Sequence, residues 1–70
     1  MKNSRLNPVI YLQAHFARAF MKRHNMTPEE FIKLNKEKNI LRFLRISYEP
    51  FHLTGDEGVL IELDNYVFGI

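Results

Sequence analysis

Histidine is the side chain whose ordinary titration falls near neutral pH, so His15, His24 and His52 are where a chemical reading of this chain begins. His15 and His24 are two and a half helical turns apart, and on one helix they point in different directions. There is no Cys and no His-x-x-x-His pair, and no metal ligand set is expected. His52 stands between Phe51 and Leu53 in a Gly-containing connector. There an imidazole suits a backbone hydrogen bond that locks the turn, with contact to a partner as the second reading. General acid–base work needs a positioned second group. Tyr48 and Asp56 are its nearest candidates in sequence.

Other reactive patterns are missing. Ser4 and Ser47 lie in no nucleophile-elbow motif. The three glycines are scattered through the last sixteen residues and form no phosphate loop. Glu62 and Asp64 are two positions apart and would not share a helical face. No catalytic residue, cofactor or metal is assigned, and the expectation is a protein that is not an enzyme.

Charge is split along the chain. Residues 1–46 carry ten Lys and Arg against three Glu, a balance of +7. Residues 47–70 carry five Asp and Glu and no Lys or Arg, a balance of −5. One reading of that split is solvated helix faces with ordinary asymmetry. The other reading is a bipolar surface that steers a charged partner or favours head-to-tail contacts. Lys33, Lys36, Lys38, Arg42 and Arg45 decorate a helix–turn–helix stretch from Thr27 to Ser47, which makes a nucleic-acid-binding regulator the alternative function. Against it, the turn lacks Gly, Asn and Gln are sparse on the second helix, and the acidic segment repels DNA. A protein partner is favoured. The candidate partner-binding residues are Tyr48, His52, Arg42, Arg45 and Lys38.

The elements that position these residues are helical. Asn7 caps a first helix with Pro8 at its first position. Val9, Leu12, Phe16, Ala19 and Phe20 form its apolar stripe, flanked by Ile10, Ala17 and Met21. Asn25 terminates it in a left-handed conformation. Thr27, Pro28 and Glu30 spell a capping box for a second helix, with Met26 and Phe31 as hydrophobic staple. Asn35 to Asn39 reads as a polar turn or frayed end. A third helix spans Ile40 to Ser47, capped by Asn39, with Arg42 and Arg45 outward and Ile46 at the boundary. Pro50 discourages its continuation, leaving Glu49 to Leu53 as a short turn of helix or an extended linker. Phe51 and Leu53 plug the core. Thr54 and Glu57 suggest a second capping box, opening a helix that carries Val59, Leu60, Leu63, Tyr66 and Val67. A strand over Val59 to Leu63 is the rival reading. Phe68, Gly69 and Ile70 form an apolar tail, docked or held in an interface.

These elements fit one small all-α domain over residues 1–70, a compact bundle of three to four short helices, with residues 1–7 frayed. A chain this short has a thin core, so packing or a homo-oligomer must supply its stability. No run of apolar residues is long enough for a membrane span. A Cys-free chain without an export signal fits the cytoplasm.

The helix-1 pattern, the "MTPEEF" start of the second helix and the stretch "ILRFLRISYEPFHLTGDEGVLIELDNYV" resemble a bacterial family, domain of unknown function 3791. The likeness covers roughly residues 9 to 67. Tyr48, His52, Thr54 and Gly55 match the family's tyrosine, histidine-threonine and glycine pattern. Leu53 departs from it by separating His52 from Thr54. The resemblance implies a compact helical domain with no assigned catalytic residues. It also implies a gene neighbour encoding a larger, toxin-like protein related to ADP-ribosyltransferases, and hence an antitoxin-like or accessory role for this small chain.

Overall fold

The computed structural model describes residues 7–69. Among them the chain forms α1 (Pro8–Arg23), α2 (Pro28–Lys38), α3 (Ile40–Ile46), α4 (Tyr48–Phe51) and α5 (Asp56–Phe68), and no strand. α4 is a single turn, so the all-α bundle expected from periodicity holds, with that turn added. The expected fraying of residues 1–7 does not hold for Asn7, which caps α1; the rest of that expectation falls on residues 1–6, Ser4 included. Those residues and Ile70 of the apolar tail lie outside the described residues.

Both strong start signals are realised. Asn7 Oδ1 accepts from the Val9 N–H at 2.8 Å, and Pro8 takes the first helical position, where a missing N–H costs nothing. At α2 the Glu30 N–H donates to Thr27 Oγ1 at 3.1 Å. The Thr27 N–H in turn donates to Glu30 Oε1 at 2.8 Å, which completes the capping box. α1 ends as expected, with Asn25 at φ 52°. The Met26 N–H reaches the Met21 carbonyl at 2.8 Å and the Asn25 N–H reaches Lys22 at 3.3 Å, the paired bonds of a Schellman ending.

Several local expectations are corrected. α2 does not fray at Asn35; it runs to Lys38 and stops at Asn39, which is left-handed at φ 55°. Asn39 gives α3 no side-chain cap. Asn35 does that work instead, its Oδ1 accepting from the Leu41 N–H at 2.8 Å. The Leu41 carbonyl accepts from Gln13 Nε2 at 2.6 Å, which ties this junction to α1. α3 ends at Ile46, which is exposed rather than at a boundary.

Pro50 lies inside α4, because in the first turn of a helix its absent N–H has no intrahelical partner to lose. Thr54 does not cap α5. Gly55 is the cap residue, without a side-chain bond, and Thr54 Oγ1 donates back to the Pro50 carbonyl at 2.8 Å. The backbone of the Pro50–Thr54 turn draws that hydroxyl away from the helix. The strand alternative for Val59 to Leu63 gives way to helix throughout Asp56–Phe68.

The core draws on every helix: Leu12, Phe16 and Phe20 of α1, Phe31 of α2, Ile40 and Leu44 of α3, Phe51 of α4, and Val59, Leu60, Leu63 and Val67 of α5. Phe20, Ile40, Leu44, Leu63 and Val59 are fully buried. Leu53 does not plug the core; it is 81% exposed, because the turn after α4 directs Phe51 inward two residues earlier. α1 and α5 lie side by side and run in the same direction, since His15 meets Asp56 and His24 meets Asp64.

Candidate functional site

A groove of about 380 Å³ opens between α1 from Pro8 to Arg18, α4 and the connector into α5. Its apolar floor comes from Leu12 and Phe16 of α1 and Phe51 of α4, all buried. Tyr11, His15 and Arg18 line one side. They follow each other at i, i+4 and i+7, which places them on one exposed face of α1. Tyr48 and His52 line the other side, with Thr54 and Asp56 at the end.

The two groove histidines are each held by one ring nitrogen. His52 Nδ1 lies 2.9 Å from the Tyr48 carbonyl, which can only accept, so Nδ1 donates. The His52 ring stacks on Tyr48 with centroids 4.6 Å apart and planes 6° from parallel. The backbone lock anticipated for His52 is therefore present, and it joins two of the candidate residues into one flat wall. His15 Nε2 donates to Asp56 Oδ2 at 2.8 Å. Asp56, expected as a neighbour of His52, is engaged with His15 instead.

A second polar cluster braces the other end of the α1–α5 contact. His24 Nε2 donates to Asp64 Oδ1 at 2.7 Å and Arg23 Nε donates to Asp64 Oδ2 at 2.9 Å. Arg23 also reaches Glu57 at 3.5 Å. Burial by itself would raise the Asp64 pKa, but the hydrogen bonds and charges of His24 and Arg23 outweigh it and hold the carboxyl below its usual range. The hydrogen bond to Asp64 raises the Arg23 guanidinium in turn, against a smaller opposing effect of burial. Phe20 and Phe68 pack on the His24 ring at 4.6 and 5.2 Å between centroids. His15 of α1 and His24 at its C-terminal cap thus both reach α5, although helical spacing would point them apart. His24 can do so because it stands beyond the last helical residue, at φ −106° and ψ 9°.

These pairs qualify the bipolar reading of the charge split. Arg23 of the basic segment pairs with Glu57 and Asp64 of the acidic segment. Part of the asymmetry is consumed inside the molecule.

The five candidate residues fall into two places. Tyr48 and His52 line the groove. Lys38, at the end of α2, and Arg42 and Arg45, on α3, are exposed and do not line it. None of these three cations has an ion-pair partner among the described residues. The Lys38 carbonyl accepts from the Tyr66 hydroxyl, and the Tyr66 ring stacks on Phe43. Sequence reading missed Tyr11, His15, Arg18 and Asp56 as groove residues. The exposed stripe on α1 was available as a signal. The pairing of His15 with Asp56, across 41 positions, left no local trace. Among the described residues no group of three or more His, Cys, Asp or Glu could hold a metal ion, and no helix is long and apolar enough to cross a membrane.

The sequence profile of the family described as Protein of unknown function (DUF3791) matches residues 12–68. The chain belongs to that family. The family segment takes in the whole core and every groove residue except Pro8 and Tyr11, which lie just before it. No curated protein and no solved structure matches the chain.

Proposed function

We propose that this chain is a non-enzymatic protein-interaction domain whose partner docks at the α1–α4 groove. One observation carries the reading. Tyr11, His15, Arg18, Tyr48 and His52 gather from α1, α4 and the residue after α4 around an apolar floor, and none of the five is fully buried. Aromatic side chains and Arg around a concave apolar patch are the composition of interface hot spots. The imidazole–carboxylate pairs brace α1 against α5, which is a structural use of those groups.

The product of a neighbouring gene is the favoured partner, in an antitoxin-like or accessory pairing suggested by the family resemblance. The reducing cytoplasm of a bacterium suits a Cys-free domain of this kind. The nucleic-acid alternative has less support. α2 and α3 are joined by Asn39 alone, whereas a DNA-binding helix-turn-helix uses a turn of about three to four residues. Co-expression of the chain with the product of the adjacent gene tests the reading. A complex that survives gel filtration at moderate salt is expected. Independent elution of the two proteins would count against the pairing.

A further inference from the structure

Resting on the interaction reading above, we infer that the α1–α4 groove accepts an acidic segment of a partner protein. A carboxylate meets Arg18, and an adjacent aromatic or large aliphatic side chain sits on the Leu12, Phe16 and Phe51 floor. The argument starts from which polar groups are already spent. His15 Nε2–H is engaged by Asp56, and His52 Nδ1–H by the Tyr48 carbonyl. Asp56, the one carboxylate lining the groove among the described residues, is turned to His15 at 2.8 Å. Arg18 has no ion-pair or hydrogen-bond partner among the described residues. Lys22 stands exposed one turn beyond it on the same face.

Arg18 is therefore the charged lining group still without a partner among the described residues, and its guanidinium fork matches a carboxylate in geometry. The stacked Tyr48–His52 pair offers a flat wall for a ring or branched side chain. The walls are half exposed, with His15 and Asp56 side chains at 47% and 62%. Such an open trough suits a peptide running across it. A site for a small molecule encloses roughly 70–90% of its ligand.

The test uses the full isotopically labelled chain followed by amide NMR. The probes are the blocked peptide Glu-Phe-Glu-Leu, its Gln-Phe-Gln-Leu counterpart and a thymidine decamer. Shifts confined to Tyr11–Arg18 and Tyr48–Asp56 are expected with the acidic peptide. The Gln counterpart should bind about tenfold more weakly, as loss of one charge-assisted contact implies. Arg18→Gln should erase that difference while leaving the rest of the spectrum in place, which shows that the variant folds. Equal binding of the two peptides, shifts elsewhere, or none at about 5 mM peptide overturns the assignment. Groove binding by the decamer alone overturns it in favour of nucleic acid. If the co-expressed neighbour binds and Arg18→Gln leaves that complex unchanged, the groove assignment falls while the interaction reading stands. If the acidic peptide binds the groove and the neighbour does not bind the chain, the groove assignment stands and the neighbour pairing falls.

Discussion

His24 Nε2 donates to Asp64 Oδ1 at 2.7 Å and fixes the C-terminal end of α1 to the third turn of α5. The carboxylate is mostly shielded and takes a second hydrogen bond from Arg23. Its pKa is lowered in the folded protein. A carboxylate with a depressed folded pKa stabilises fully above its unfolded pKa, about 3.9, and loses that contribution as pH falls through the folded value. The wild-type chain should therefore lose stability below about pH 4. Asp64→Asn should be less stable by about 1 kcal/mol near neutral pH. The gap between the two proteins should close in acid. Urea unfolding midpoints measured from pH 7 downward check this, and a gap that is independent of pH would refute it.

The reciprocal bonds of Thr27 and Glu30 make α2 dependent on its first turn. Thr27→Ala should cost about 1 kcal/mol. Glu30→Ala should cost less, because Glu30 returns one bond from an exposed position. Each variant removes one bond and leaves the other, which runs to a backbone N–H; because both bonds close the same turn, their effects should not add. A double-mutant cycle by thermal unfolding should show a coupling of about 0.5 kcal/mol or more. Simple additivity would mean that the box is formed but contributes nothing cooperative.

Asn39 separates α2 from α3 with a left-handed backbone at φ 55° and ψ 48°. A Cβ makes that conformation costly, and Asn tolerates it better than most residues. Asn39→Ala should destabilise by about 1 kcal/mol. Asn39→Gly should be neutral or mildly stabilising, since glycine meets no such penalty. The opposite order in chemical denaturation would show that the Asn39 side chain, not its backbone angle, holds the junction.

Gly58 lies in the first turn of α5, where a helix former would ordinarily be better by about 1 kcal/mol. A Cβ built there would stand 2.9 Å from Thr54 Cγ2. Thr54 cannot turn away freely, because its hydroxyl donates to the Pro50 carbonyl. Gly58→Ala alone should therefore gain little or lose stability. Combined with Thr54→Ser, which keeps the hydroxyl and removes the methyl, it should stabilise by about 0.5–1 kcal/mol. Melting temperatures of the two single variants and the double variant decide the point.

The sequence by itself determined what depends on neighbours a few positions away. The Asn7 and Thr27 caps, the left-handed Asn25 and the apolar stripes of α1 and α5 are set by side chains within a turn of the groups they serve. Local chemistry misled where two local partners competed: Thr54 could serve α5 or the Pro50 carbonyl, and the turn after α4 gives it to Pro50. Leu53 failed for a related reason, since hydropathy says that a leucine prefers burial but not which of Phe51 and Leu53 the turn directs inward. Tertiary structure alone decided the groove and the brace. His15 with Asp56 and His24 with Asp64 are 40 or more positions apart, and their meeting follows from α1 and α5 packing side by side in one direction. That packing is driven by apolar burial, which has no preference for polar partners. The same packing leaves Arg18 without a partner among the described residues while spending Arg23 on Asp64, and only the relative placement of the helices makes that distinction.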